Sequence, residues 1–246
     1  MSQVRRQSII STIFVYAGFF IGFVNTYLFT RQGSVFTPSE YAMTGIFIAV
    51  GNLMFAFANL GMVSVVYKFY PYYKDNLPKK KNDLLTWTFL ISIIGFCCVI
   101  VAGIVFKDLV VRKFGKSPEF IRYYLWVFPF GFSILMFSML EVFAWNIRKS
   151  ILTTFLRELF FKLLTMLLIF FVSYNWIDSF DTFIKMYAFT YGATALALLI
   201  YLLWKKECHI TFTISRVTKK FYKKMASMAT LCYFGGTIFM IANWID

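Results

Sequence analysis

At 246 residues with 60% hydrophobic side chains, 22% aromatic and a mean hydropathy of +0.70, the chain is too apolar for an ordinary soluble domain and reads as an integral membrane protein. Its 25 Lys and Arg against 11 Asp and Glu give a formal charge of +14, but the cations fall between apolar runs instead of along one stripe, which argues against nucleic acid and for anionic phospholipid as the neighbour. Four cysteines with no C-x-x-C spacing and a single histidine, His209, argue against a disulfide framework, a metal site or a cofactor.

Uncharged runs occupy residues 9–29, 41–67, 84–106, 123–140, 163–177, 186–204 and 225–245. At about 1.5 Å of rise per helical residue the longer ones match the ~30 Å hydrocarbon core of a bilayer, so seven spans are expected. The first follows a basic start but is too long for a signal-peptide core and lacks a cleavage site, so it is read as a retained helix. Gly18 and Gly22 give it a G-x-x-x-G step for close approach of a neighbour.

The second run opens with helix punctuation. Thr37 is the expected N-cap, Pro38 suits the first helical position, and Glu40 completes a T-x-x-E capping box. The helix is expected to continue unbroken to Tyr67, to leave the apolar layer at Lys68, and to stop at Pro71 among interfacial tyrosines. Asn52 and Asn59 are seven apart and share a face, which either looks into a wet cavity or hydrogen-bonds to another helix. Asn25 poses the same alternatives in the first run.

The same region carries a family resemblance. Arg31, Tyr41, Asn59-Leu60-Gly61 and Lys68-Phe69-Tyr70-Pro71 resemble the helix 1 to helix 2 region of polysaccharide and O-antigen exporters, which shows an Arg after helix 1, a Tyr-Gly pair, a Leu-Gly pair and an Arg-Phe-x-Pro exit. Here Ala42 stands where Gly usually follows the Tyr, and Lys68 replaces the Arg.

Further along, residues 107–122 interleave five cations with Leu109, Val110, Val111 and Phe114, a pattern expected of an amphipathic segment on the outer leaflet. Ser117 and Pro118 read as cap and first position of the fourth helix, which Pro129 and Gly131 weaken for packing or bending. Glu141 is the most unusual carboxylate: it either pairs with Arg148 or Lys149 at the headgroup level or couples transport to a proton or ion. The fifth run extends backwards past Arg157, Glu158 and Lys162 as a helix entering obliquely. Asp178, Ser179 and Asp181 lie where the sixth helix needs its N-cap.

Cations on the loops expected inside number 17 against seven outside, which places the N-terminus in the cytoplasm. The final run reaches Asp246 with no basic anchor, turn or tail after it, so the chain is expected to be truncated there. Asn243-Trp244-Ile245-Asp246 resembles an Ile-Asp element in the seventh helix of the same exporters.

The fold class expected is therefore an all-α integral membrane bundle: a six-helix N-terminal lobe over residues 1–204, a cytoplasmic basic linker over 205–224, and over 225–246 the first helix of a second lobe. What the resemblance implies is a non-enzymatic flippase of the polysaccharide exporter branch of the multidrug/oligosaccharidyl-lipid/polysaccharide superfamily. Such a protein moves a polyprenyl-diphosphate-linked oligosaccharide across the cytoplasmic membrane, with other envelope polysaccharide assembly proteins as partners. Arg31, Asn52, Asn59, Lys68, Arg148 and Arg157 are its candidate substrate-binding residues, and Glu141 and Asp246 its candidate coupling residues. The alternatives are a multidrug antiporter of that superfamily and a membrane-embedded glycan polymerase or ligase.

Overall fold

Backbone amides and carbonyls in hydrocarbon have no water to bond, so apolar runs of this length resolve into helices that satisfy themselves. The computed structural model describes residues 3–108, 112, 118–177 and 179–245, and among these it contains helices and turns but no strand. In order come α1 (Gln3–Thr30), α2 (Pro38–Ala58), α3 (Met62–Asn76), α4 (Leu84–Val105) and α5 (Pro118–Tyr123), the last running through a 3-10 turn (Tyr124–Trp126) into α6 (Val127–Asn146). Then follow α7 (Ser150–Thr154), a π-helical turn (Phe155–Phe160), α8 (Phe161–Ser173), α9 (Phe180–Tyr187), α10 (Thr190–Trp204) and α11 (Arg216–Ile245). Five stretches are long and apolar enough to cross a membrane: Arg5–Thr30, Pro38–Ala58, Lys79–Val105, Glu119–Asn146 and Phe180–Trp204.

The stretch containing α6 is the centre of the molecule. Within its most apolar part 78% of residues are buried, against 11% for α1, and α6 packs on α2, α3, α4 and α10. Glycines set the α2 contact: a Cβ on Gly51 would sit 2.8 Å from Ile134 Cδ1 and 2.9 Å from the Phe130 ring, and one on Gly131 would sit 2.9 Å from Met54 Sδ. Aromatic rings fill the remaining space. Tyr187 stacks on Phe130 at 5.5 Å and on Phe183 at 6.0 Å, while Phe161 and Tyr191 meet at 4.6 Å. Because lipid tails are as apolar as these side chains, such shape-fitted contacts, not transfer from water, hold the helices together.

The capping box forms as expected. The Glu40 amide donates to Thr37 Oγ1 at 3.3 Å, and Glu40 Oε2 accepts from the Thr37 amide at 2.7 Å. The unbroken second helix does not: α2 ends at Ala58 and α3 begins at Met62, with Leu60 (φ 47°) and Gly61 (φ 74°) in the left-handed region. Asn59 is the C-cap; its Nδ2 donates to the carbonyls of Phe55 and Ala56 and its Oδ1 accepts from the Gly61 amide at 2.8 Å. Gly61 has no substitute here, since a Cβ would fall onto the carbonyl of Ala229 in α11. Nor does Pro71 stop the chain, because α3 passes through it to Asn76. The missing amide leaves only the carbonyl of the exposed Tyr67 to be solvated.

Loop contacts sort the helix ends into two groups. Lys79 pairs with Glu207, the Thr211 hydroxyl donates to the Lys80 carbonyl, and Asp83 Oδ2 accepts from the Ser215 amide and the Thr218 hydroxyl. Gln7 reaches the carbonyl of Arg148. At the opposite ends Ser39 donates to Glu119, and Arg122 pairs with Asp181. Ser179 is the N-cap of α9, as expected, accepting from the Thr182 amide. Pro118 opens α5, while Ser117, Asp178, Asp246 and most of the segment expected to be amphipathic on the outer leaflet lie outside the described residues. Helix α11 starts at Arg216, inside the stretch expected to be a linker.

Candidate functional site

Four charged side chains form an alternating chain where α1, α6 and the α7 to α8 helix meet. Glu141, 4% exposed, accepts from Arg157 Nη1 at 3.0 Å through Oε2. Arg157 Nε lies 3.5 Å from Glu158 Oε1, and Glu158 Oε2 accepts from Lys162 Nζ at 3.2 Å. The Lys162 ammonium then sits over the Phe19 ring, 5.5 Å from its centre. The chain is formally neutral, which is how four ionic groups can share an apolar stretch: each has an opposite charge beside it.

The backbone explains how one helix serves both neighbours. Residues 150–173 run as a single helix, but its hydrogen bonding widens to i→i+5 at Phe155–Phe160. Across that wider turn Arg157 reaches α6 while Glu158 lies against α1. Gly18 makes the second contact possible: a Cβ there would be 2.6 Å from the Glu158 carbonyl, and Gly22 borders the Lys162 stem at 3.8 Å. Asn25, on the same face, donates from Nδ2 to the Lys162 carbonyl at 2.9 Å. The expected G-x-x-x-G step is thus the groove in which the charged helix lies, and Asn25 takes the interhelical alternative.

Two buried acceptors on this chain remain without a hydrogen bond among the described residues, Glu141 Oε1 and Asn25 Oδ1. Arg157, by contrast, keeps 41% of its side chain exposed despite its two carboxylate neighbours. The arrangement can therefore present part of a planar cationic fork at a helix interface, with a carboxylate behind it.

No protein-family model, no characterised protein and no solved structure matches the chain.

Of the expected site residues that are described, only Glu141 and Arg157 come together. Pairing of Glu141 with Arg148 or Lys149 is corrected: the chain turns away after α6 at Arg148 (φ 61°), which is exposed, and the partner is 16 residues along on another helix. Arg31 is exposed just beyond α1, and Lys68 is exposed on α3. Asn59 caps its own helix, so it neither lines a cavity with Asn52 nor bonds to another helix, and Asn52 is half-buried. Glu158, Lys162 and Gly18 belong to the site although the sequence reading gave them no such role. Their signal was present in three charges inside an apolar run and in the spacing of Gly18, Gly22 and Asn25. Among the described residues no cluster of His, Cys, Asp and Glu could hold a metal ion.

Proposed function

We propose that the chain is a membrane transporter of the polysaccharide exporter type, moving a polyprenyl-diphosphate-linked oligosaccharide across the cytoplasmic membrane. Its membrane part would be built from the five stretches long and apolar enough to cross a bilayer, packed around α6. The observation that carries this reading is Arg157: an arginine within an apolar helix, held by Glu141 and Glu158 yet partly exposed, offers donor hydrogens to a passing diphosphate. Exposed cations elsewhere, Arg31 just beyond α1, Lys68 on α3 and Arg148 just after α6, extend the same logic to entry and exit. No step requires bond chemistry, so the activity is transport and not catalysis.

The test is export of lipid-linked glycan in cells lacking their own flippase, at matched protein level. Arg157→Lys retains a point charge without the fork and is expected to export at a reduced rate, Arg157→Gln not at all. Wild-type export by Arg157→Gln removes the proposal. A second reading rests on the free Oε1 of Glu141, since a buried carboxylate suits exchange of cations for protons. It predicts drug efflux that Glu141→Gln abolishes, with glycan export absent throughout. In either case the N-terminus is cytoplasmic, and Asn82→Cys, in a background without native cysteines, resists an impermeant thiol reagent in intact cells.

A further inference from the structure

Away from the charged chain, a groove of about 610 Å³ runs between α3 and α11 and differs in kind from the apolar clefts elsewhere on the surface. Lys68 from α3 and Lys223 and Lys224 from α11 line it. Its floor is a cluster of three rings: Phe221 lies 5.3 Å from Tyr72 and 6.0 Å from Phe69, and Phe69 lies 6.1 Å from Tyr72. Lys224 stands over Phe221 at 5.9 Å from its centre. The groove continues along α11 past Met228 to Leu231 and Cys232, and Leu231 is exposed.

Three ammonium groups gathered from positions about 155 residues apart repel one another, and among the described residues none of them has a carboxylate partner. A group that neutralises them must be anionic. The rings and the apolar strip on α11 ask for hydrocarbon next to that anion. We propose that this groove is a discrete site for one anionic phospholipid, its phosphate on Lys68, Lys223 and Lys224 and an acyl chain along Leu231 and Cys232. The bound phosphate ties α11 to α3 by bridging cations that otherwise push the two helices apart. The site shares Lys68 with the proposed transport route but needs neither Arg157 nor a moving substrate, so lipid protection of Cys232 and glycan export can fail separately.

Cys232 supplies the readout. In a Cys97→Ser, Cys98→Ser, Cys208→Ser background, in zwitterionic detergent, phosphatidylglycerol is expected to slow labelling of Cys232 by a neutral maleimide, and phosphatidylcholine to leave it unchanged. Lys68→Gln with Lys223→Gln and Lys224→Gln is expected to raise the phosphatidylglycerol concentration for half-protection about a hundredfold, since each lysine near a lipid phosphate contributes roughly a fivefold factor. Removing three charges elsewhere, by Lys80→Gln, Lys205→Gln and Lys206→Gln, leaves half-protection where it was. Equal weakening in both triple variants overturns the proposal in favour of diffuse attraction. Equal protection by inorganic pyrophosphate overturns the acyl contact, and protection by a polyprenyl diphosphate at a hundredfold lower concentration than phosphatidylglycerol reassigns the groove to that lipid. Should the triple variant not fold, Lys68→Gln and Lys223→Gln singly must each weaken protection about fivefold, and their failure to do so overturns the proposal as well.

Discussion

The most apolar parts of residues 5–30 and 119–146 are equal in mean hydropathy, yet most residues of the second are buried and few of the first are. In water such a pair would compete for the interior; in a bilayer apolarity no longer decides, because the surroundings are as apolar as the core. What differs is shape. Most of the α6 helix is buried by rings and small residues, with Phe130, Leu135, Phe137 and Met139 almost fully enclosed. The α1 helix packs on the rest chiefly along a seam that includes Gly18, Gly22, Asn25 and Phe29, spaced four, three and four residues apart, while Tyr16, Phe20 and Phe23 are exposed. Position in the bundle is therefore written in small and polar residues, not in the apolar ones.

The comparison can be broken at the point where the two helices share a feature. Arg157→Leu strands Glu141 inside α6 and is expected to cost about 4 kcal/mol, as unpairing a buried charge does, read from unfolding in mixed detergent; adding Glu141→Leu should restore most of it. Next comes the packing itself. Phe130→Ala opens a void in α6 costing about 3 kcal/mol, whereas Phe23→Ala on the outward face of α1 stays within about 0.5 kcal/mol by the same measurement. Overfilling is a gentler probe: Gly51→Val collides with Phe130 and Ile134 for about 2 kcal/mol, while Gly45→Ala, with nothing within 4 Å, changes little. The smallest effect is at a helix start, where Thr37→Ala removes the cap of α2 for about 1 kcal/mol, seen as faster amide exchange at Glu40 and Tyr41.

Local signals in the sequence were read correctly because their physics is local. Thr37, Pro38 and Glu40 act within one turn, and so does Ser179. The interruption after α2 was missed although Asn59 and Gly61 are ordinary helix-ending residues, because Leu60 between them takes a backbone conformation unfavourable for a branched apolar side chain. The joint is also packed against the carbonyl of Ala229, which leaves no room for a side chain at Gly61 and which no neighbour in sequence announces. The ion-pair chain failed for the same reason. Cations close to Glu141 in sequence were natural partners, but the turn at Arg148 carries them off, and the actual partner arrives on a helix whose register is reset by the π-helical turn.

That interruption also gives the second apolar run two separate attachments. Its first arm is keyed into α6 by Gly51 and Gly131, and its second is seated on α11 through Gly61 and through the Tyr73 hydroxyl, 2.7 Å from that of Thr218. The joint itself lies against Gly95, halfway along α4, where the Ala58 carbonyl leaves no room for a side chain. A swivel of α11 would thus be carried by the second arm and absorbed at residues 59–61, where the left-handed backbone already departs from helical winding. The first arm, with the aromatic centre behind it, would stay still.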